Sequence, residues 1–138
     1  MTELYPNVQA SIEGALANFT DASGYLVHAD NETWMDARRE PDKVAYSPRS
    51  TRANDIQALW YEQLRAGADF AAALGDRESA ARWSAAADRL RSRFAHDFMD
   101  PATGRMADHL DARDSPNLQL RPNALLNLHL LDQPADAA

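Results

Sequence analysis

The sequence predicts an all-α fold made of antiparallel helical hairpins joined by long loops. Three long segments place apolar residues three and four positions apart, as one face of a helix requires, and turn-forming residues end each segment. The 138 residues are enough for one domain with a buried core. We therefore expect a single helical domain over residues 1–133, followed by a flexible tail at 134–138.

The first helix is predicted from Leu4 to Phe19. Pro6 suits an early helical position, because its missing N–H would have no partner there. The segment Asp-Ala-Ser-Gly at 21–24 ends this helix, and a short extended piece is expected at 25–27. The apolar face of the helix contains Val8, Ile12, Ala15, Leu16 and Phe19.

A second helix is predicted over 54–74, where Asn54 and Gln57 have the spacing of a capping box. Gly75 is placed to end this helix, and Asp76 is placed to cap a third helix at once. Such a short connection predicts an antiparallel helical hairpin. The apolar faces of the two helices contain Ile56, Leu59, Trp60, Leu64, Phe70, Leu74, Trp83, Ala87, Leu90, Phe94 and Phe98.

Two long segments lack helical periodicity. Residues 31–52 contain two prolines and several apolar side chains, so we expect an ordered functional loop. Residues 100–117 form a second loop, with a short extended piece around 106–108. A last helix is predicted over 122–131, where leucines recur at helical spacing.

The formal net charge is −7, from 21 acidic and 14 basic residues. Such a surface repels nucleic-acid phosphates and anionic lipid on average, so neither nucleic acid nor membrane is an expected partner. The chain has no cysteine, which excludes disulfides and thiolate metal sites. We see no signal peptide, no membrane-spanning run and no nucleotide or metal motif, and we expect a cytoplasmic protein without a cofactor.

Asp36 is the first candidate for chemistry, because it follows Trp34 and Met35 in the long loop. A carboxyl group in a dry site beside an aromatic ring can protonate a glycosidic oxygen while the ring holds the sugar. The structural alternative is an aspartate that caps a turn or a helix. This is the commoner role of a lone aspartate in a loop.

Four sequence elements extend this observation along the chain. They are Thr33-Trp34-Met35-Asp36, Ser47-Pro48-Arg49, Ile56-Gln57-Ala58-Leu59-Trp60-Tyr61 and Leu120-Arg121-Pro122-Asn123. In kind and order they resemble motifs of the amylo-α-1,6-glucosidase domain of glycogen-debranching enzymes. The resemblance implies a slice of an (α/α)6 toroid, and the hydrolysis of α-1,6-linked glucose from an α-glucan oligosaccharide, with inversion and without a cofactor.

The resemblance also implies roles for individual residues. Asp36 corresponds to the general acid and Trp34 to a sugar platform. Arg49 and Asp55 would contact the sugar or orient the acid. The predicted substrate-binding set is completed by Trp60 and Tyr61, which continue the motif, and by His28, which lies close to Trp34 in sequence.

The chain departs from the family pattern at three positions. Asp55 stands where the family usually has glutamate, Ala124 where it has glutamine, and Ser47 where it has threonine. The predicted helices are also too few for a whole toroid, and the base of an inverting enzyme would lie beyond the last motif. A partial toroid exposes apolar helix edges. We therefore expect self-association or a partner polypeptide that completes the toroid.

Without the resemblance, most candidates have a structural explanation. Asp55 would complement the dipole of the second helix, and Arg49 would be a loop charge or a donor that ties the loop. Trp60 and Trp83 lie on apolar stripes, which favours the core for both. Tyr61 lies one step from its stripe and is undecided between the two roles.

Three further possibilities remain open. Asp108, His109 and Asp111 suggest a metal site, although solvated loop charges are the simpler interpretation. A non-catalytic remnant or sugar-binding module that lacks the base would keep the same motifs. A helical-repeat interaction domain would explain the hairpin at 58–98, but such repeats stack in at least about three copies, and no second copy occurs.

Overall fold

The computed structural model describes residues 2–131, and the predicted tail at 134–138 lies outside them. Four α-helices form most of the structure, and a small antiparallel sheet holds their loops together. In chain order the elements are α1 (Tyr5–Asn18), β1 (Arg52–Ala53), α2 (Asn54–Ala73), α3 (Arg77–Phe98), β2 (His109–Leu110), β3 (Pro116–Asn117), a 3₁₀-helix (Pro122–Asn127) and α4 (Leu128–Leu131).

Helices α2 and α3 form the predicted antiparallel hairpin. Gly75 adopts a φ of +82°, the left-handed conformation that ends a helix and that glycine adopts without a steric penalty. The Asp76 side chain accepts a hydrogen bond from the Ser79 N–H at 3.0 Å and so caps α3. Local sequence therefore sets both the turn and the start of the third helix.

The predicted capping box of α2 is wrong, because its two side chains bind more distant partners. Ala53 is the N-cap residue and no side chain caps the helix. The Asn54 amide donates to the Ala107 carbonyl at 3.0 Å. Gln57 accepts from the Leu26 N–H at 2.8 Å and donates to the Leu26 carbonyl at 2.9 Å. Both amides satisfy backbone groups of the loops, which a local pattern does not reveal.

The core lies between α1, α2 and α3. The Trp83 ring is buried there, and its Nε1 donates to Glu13 of α1 at 2.7 Å. Phe94 stacks on Phe98, and Tyr25 meets the edge of Phe98 with ring centroids 5.6 Å apart. Burial and a hydrogen bond to Asp97 both raise the pKa of the Tyr25 hydroxyl, which therefore stays neutral.

Gly67 allows the close approach of the three core helices, and its replacement by alanine is expected to destabilise the fold. A Cβ atom at Gly67 would lie 2.2 Å from Ile12 Cδ1 and 3.1 Å from Trp83 Cε3. Overpacking of this kind costs about 1–3 kcal/mol. The matched control is Gly14→Ala in α1, where nothing lies within 4 Å, so that alanine should stabilise by about 0.5–1 kcal/mol. Urea unfolding measures both, and equal effects of the two substitutions would contradict this packing.

The all-α expectation is wrong in one respect, because three two-residue strands form a sheet in the order β1–β2–β3. Arg52 pairs with Leu110, Ala53 pairs with His109, and His109 also pairs with Asn117. The backbone bonds continue past β1, where the Asn54 N–H donates to the Asp108 carbonyl at 3.0 Å. The sheet thus joins the first residues of α2 to the second loop, and it places Asp108 beside the start of α2.

The last predicted helix, over 122–131, has two parts. Pro122–Asn127 is a 3₁₀-helix, and α4 continues from it over Leu128–Leu131. The expected extended pieces near 25–27 and 106–108 occur as single bridges, Thr20 with Leu26 and Met99 with Met106. Among the described residues, no helix is both long and apolar enough to cross a membrane.

Candidate functional site

The long loop opens a cleft that contains the first sequence motif. We call it the Trp34 cleft; its volume is about 250 Å³. The Trp34 ring is 65% exposed and Asp36 is also exposed, so the carboxylate and an aromatic face are both open to a ligand. The dry environment expected for Asp36 is therefore absent in this structure. The cleft is lined by Trp34, Met35, Asp36, Ala37, Tyr46 and Ser47.

Hydrogen bonds fix the loop that carries Asp36 both before and after that residue. Thr33 is buried, and its hydroxyl accepts from the Met35 N–H at 3.1 Å. Beyond Asp36 the chain folds back on itself, with a bridge between Arg38 and Ala45 and a bond from the Tyr46 N–H to the Ala37 carbonyl at 3.0 Å. The cleft is thus formed by a short hairpin rather than by a free strand of chain.

A buried polar cluster lies behind this loop. At its centre the Arg49 Nη2 donates to Asp55 Oδ1 at 2.6 Å, and the Arg49 Nε donates to Asp108 Oδ2 at 2.8 Å. Arg121 approaches the same Asp108 Oδ2 with its Nε at 3.2 Å. The Asn123 amide oxygen turns toward Arg49 and accepts from Nη1 and Nη2 at 2.9 Å. The Arg49 cluster is the set Arg49, Asn54, Asp55, Asp108, Arg121 and Asn123.

The Arg49 cluster is balanced in charge, with two guanidinium groups against two carboxylates. Burial raises the pKa of Asp108, but hydrogen bonds from His109 and Arg49 outweigh that effect and leave the pKa below its usual value. Burial likewise lowers the pKa of Arg49, and the contacts with Asp55 and Asp108 reverse this, so its pKa is raised. Asp108 and Arg49 therefore stay charged in the interior at neutral pH.

Direct contact of Arg49 or Asp55 with a sugar, the first of their two expected roles, does not fit this structure. Arg49 is 0% exposed and Asp55 is 1% exposed, and each uses its polar atoms inside the cluster. Of the structural alternatives, a solvated loop charge is wrong for Arg49, which instead donates hydrogen bonds that tie the loop, and Asp55 does lie in the first turn of α2. Their placement behind the loop fits the second expected role, that of supporting the residues of the cleft.

Trp60 and Tyr61 lie in the core rather than in the cleft. Trp60 is 2% exposed, and its Nε1 donates to the Gly24 carbonyl at 3.3 Å. Tyr61 is buried as well, with its ring 5.7 Å from the ring of His129. Neither ring offers a free face to a sugar in this structure. The apolar stripe of α2 therefore accounts for Trp60, and Tyr61, one position from that stripe, is buried as well.

His28 is buried, and its hydrogen bonds attach the loop before the cleft to the start of α2. Its Nε2 accepts from the Ala53 N–H at 2.8 Å, so the proton is on Nδ1, which donates to the Ala29 carbonyl at 2.9 Å. Burial lowers the pKa of the imidazole, which therefore stays neutral. Both ring nitrogens are used by the backbone, so the substrate contact predicted for His28 does not fit this structure.

Sequence reasoning missed Asp108, Arg121 and Asn123 as members of one site. The interpretation of Asp108 as a solvated loop charge is wrong, because it is only 1% exposed. A signal was present at 106–110, where Asp108 interrupts a short run that contains Met106, Ala107 and Leu110. Within residues 2–131, no three potential metal ligands gather in one place.

A solved structure of another protein has a similar fold. The GH78 family rhamnosidase of Bacillus sp. GL1 matches 96% of this chain with a TM-score of 0.62 and 20% sequence identity. The chain spans 15% of the length of that rhamnosidase. No curated protein matches the sequence. The described helical hairpin and its loops thus have the fold of a segment of that rhamnosidase.

The family of the chain follows from the similarity of its sequence to a known protein family. The amylo-alpha-1,6-glucosidase family matches residues 2–137, which is nearly the whole chain. The chain therefore belongs to the amylo-alpha-1,6-glucosidase family, and the resemblance carried by the four motifs is confirmed.

Proposed function

We propose that this chain forms part of a domain that hydrolyses α-1,6-linked glucose in branched α-glucans, with Asp36 as the general acid. The observation that carries this proposal is the common placement of Asp36 and Trp34 in one open cleft. Membership of the amylo-alpha-1,6-glucosidase family supports the substrate class. Trp34 would hold the apolar face of a glucose ring while Asp36 protonates the glycosidic oxygen of the leaving glucan.

The stereochemical proposal is inversion. An inverting enzyme needs a second carboxylate about 6.5–9.5 Å from the acid, so that a water molecule fits between the base and the sugar. Within the described part of the chain, Asp36 is the one acidic residue that lines the Trp34 cleft. The base therefore comes from another segment, placed against this cleft by the rest of an (α/α)6 toroid. The openness of the cleft supports this arrangement, because a covering segment would also dry the acid.

We further propose that the chain associates with itself or with a partner polypeptide. The support is an apolar surface around the 3₁₀-helix, where four leucines are each more than half exposed. They are Leu120, Leu125, Leu126 and Leu128. Sedimentation velocity of the isolated chain should show concentration-dependent oligomers, and a monomer throughout the micromolar range would contradict self-association.

A second candidate function is sugar binding without turnover. The lone carboxylate of the cleft favours it, because a site with an acid and no base retains the ligand contacts while hydrolysis is lost. Binding and turnover therefore have to be measured separately on one sample.

The test is calorimetric titration of the chain with isomaltose, with released glucose assayed in the same solution. Binding with release supports the hydrolase, binding without release supports the sugar-binding module, and the absence of both contradicts the proposal for this chain. Trp34→Ala should weaken binding about tenfold, or 1.4 kcal/mol, with little change in stability because the ring is largely exposed. The matched control is Phe19→Ala, an exposed aromatic residue outside the cleft, which should leave the affinity unchanged.

A further inference from the structure

A continuous chain of contacts joins buried Asp108 to the loop of the Trp34 cleft. The Asp108 Oδ2 lies 3.2 Å from the Arg121 Nε, and the Arg121 Nη1 lies 3.6 Å from the Met35 sulfur. The amide end of Asn123 lies 3.8 Å from the same sulfur. Because Met35 precedes Asp36 directly, the position of the Met35 side chain constrains the backbone that carries the carboxylate.

Asp108 is the rigid end of this chain of contacts. Its N–H donates to the Asn117 carbonyl at 2.7 Å, and its own carbonyl accepts from the Asn54 N–H at 3.0 Å. The carboxylate is fully buried, and its Oδ2 is shared between Arg49 and Arg121. Its Oδ1 has no hydrogen-bond partner within residues 2–131. Its attraction for the two guanidinium groups is therefore weakly screened by solvent.

Arg121 is the movable end. Its side chain is 21% exposed, and it also donates to the nearby Gln119 side chain at 2.8 Å. Such a partly exposed guanidinium has other positions available in solvent. The Asp108 charge attracts this guanidinium without a hydrogen bond, because the Arg121 Nε has no hydrogen-bond partner within residues 2–131. The Met35 sulfur is itself only a weak acceptor.

We propose that Asp108 is a positioning residue for Asp36, acting through Arg121 and Met35. The inference rests on the proposed function only in treating Asp36 as the acid; the contacts themselves do not depend on it. A displacement of about 1 Å at a reacting group lowers turnover by up to about 10²-fold, so a fixed Met35 would affect the rate without contacting the sugar.

The test uses NMR of the protein labelled with ¹³C in its methionine methyl groups. The sequence has four methionines, Met1, Met35, Met99 and Met106, so the spectrum is simple, and Met35→Leu assigns the relevant signal. In Asp108→Asn we expect the Met35 methyl signal to sharpen and to move toward the shift of free methionine. Met99, which lies outside the Arg49 cluster, serves as the internal reference.

The matched control is Asp55→Asn. It removes the same charge from the same cluster at equal burial, but Asp55 pairs with Arg49 and makes no contact with Arg121. Both substitutions should lower stability, and only Asp108→Asn should move the Met35 signal. An unmoved Met35 signal in folded Asp108→Asn, or an equal movement in both variants, would overturn the inference.

A second variant covers the case in which Asp108→Asn fails to fold. Arg121→Gln removes the partly exposed end of the ion pair, so the protein should fold and show the same movement of the Met35 signal. A signal like that of the wild type would overturn the inference. Because this readout requires no sugar, it holds even if isomaltose binding and release are both absent. Where turnover is measurable, Asp108→Asn should lower kcat by about 10–100-fold with KM unchanged.

Discussion

Arg49→Met is expected to lower the free energy of unfolding by about 3–5 kcal/mol, because it leaves buried Asp55 without its countercharge and Asp108 with Arg121 alone. Arg49 is fully buried between Asp55 and Asp108, and it also donates to the Asn123 amide. Methionine has a similar length, so the loss would come from charge and hydrogen bonding more than from volume. For a domain with a total stability of about 5–15 kcal/mol, this is a large fraction.

Urea unfolding at neutral pH measures the effect of Arg49→Met. The control is Arg39→Met, which removes an exposed arginine whose ion pair with Asp42 is in solvent, and which should leave stability close to that of the wild type. Equal stability of the two variants would show that the interior charges are not paired as described here.

The pH dependence gives an independent check on the Arg49 cluster. The folded-state pKa of Asp108 lies below the value of about 3.9 for an unfolded aspartate. Its contribution is therefore fully present above that unfolded value and is lost as the pH falls through the folded pKa. In Arg49→Met one of the contacts that lower this pKa is gone, while those with His109 and Arg121 remain, so the acid side of the stability profile should flatten in part relative to the wild type.

Asp36→Asn is expected to abolish nearly all glucose release, by about 10²–10⁴-fold, in an assembly that hydrolyses isomaltose. Asparagine keeps the shape of the side chain but has no proton of suitable acidity to donate. Because Asp36 is exposed and makes no hydrogen bond within the described residues, stability should change little. The rate of glucose release and the far-ultraviolet circular dichroism together measure the two effects.

The control for Asp36→Asn is Asp42→Asn, which removes a carboxylate from the same loop. Asp42 is exposed and pairs with Arg39, outside the residues that line the Trp34 cleft. Its turnover should equal that of the wild type. If Asp36→Asn retains full turnover, Asp36 is not the acid; if both variants lose turnover equally, the loop as a whole is disturbed.

The helices were predictable because their signals are local. Gly75 and Asp76 define the hairpin by their own conformational preferences and hydrogen bonds, and the apolar stripe of α3 that contains Trp83 points to the core. The stripe predicted for α2 is only partly right, because Trp60 is buried but Leu59 is 63% exposed. The capping box failed because Asn54 and Gln57 have competing partners in distant loops. The sheet was missed because two-residue strands carry too few residues for a periodic pattern.

The site was predictable in part. The motif at 33–36 placed Asp36 and Trp34 together, and the structure puts both in one cleft. The buried positions of Arg49, Asp55 and His28 were not foreseen, because burial depends on what covers a loop. Asp108 was assigned to the surface because its partner Arg49 lies 59 positions away in sequence, where a local pattern does not reveal the ion pair.

By itself, the sequence determined the helical hairpin, the family and the pair formed by Trp34 and Asp36, since these depend on residues close together along the chain. Only the tertiary structure decided which charged residues are buried and what they bind. Arg49, Asp108 and Arg121 come from three separate segments, and they meet because the sheet brings the second loop beside the start of α2. The physical reason is that a buried charge requires a countercharge, and here the countercharge lies on a distant segment that only folding brings into contact.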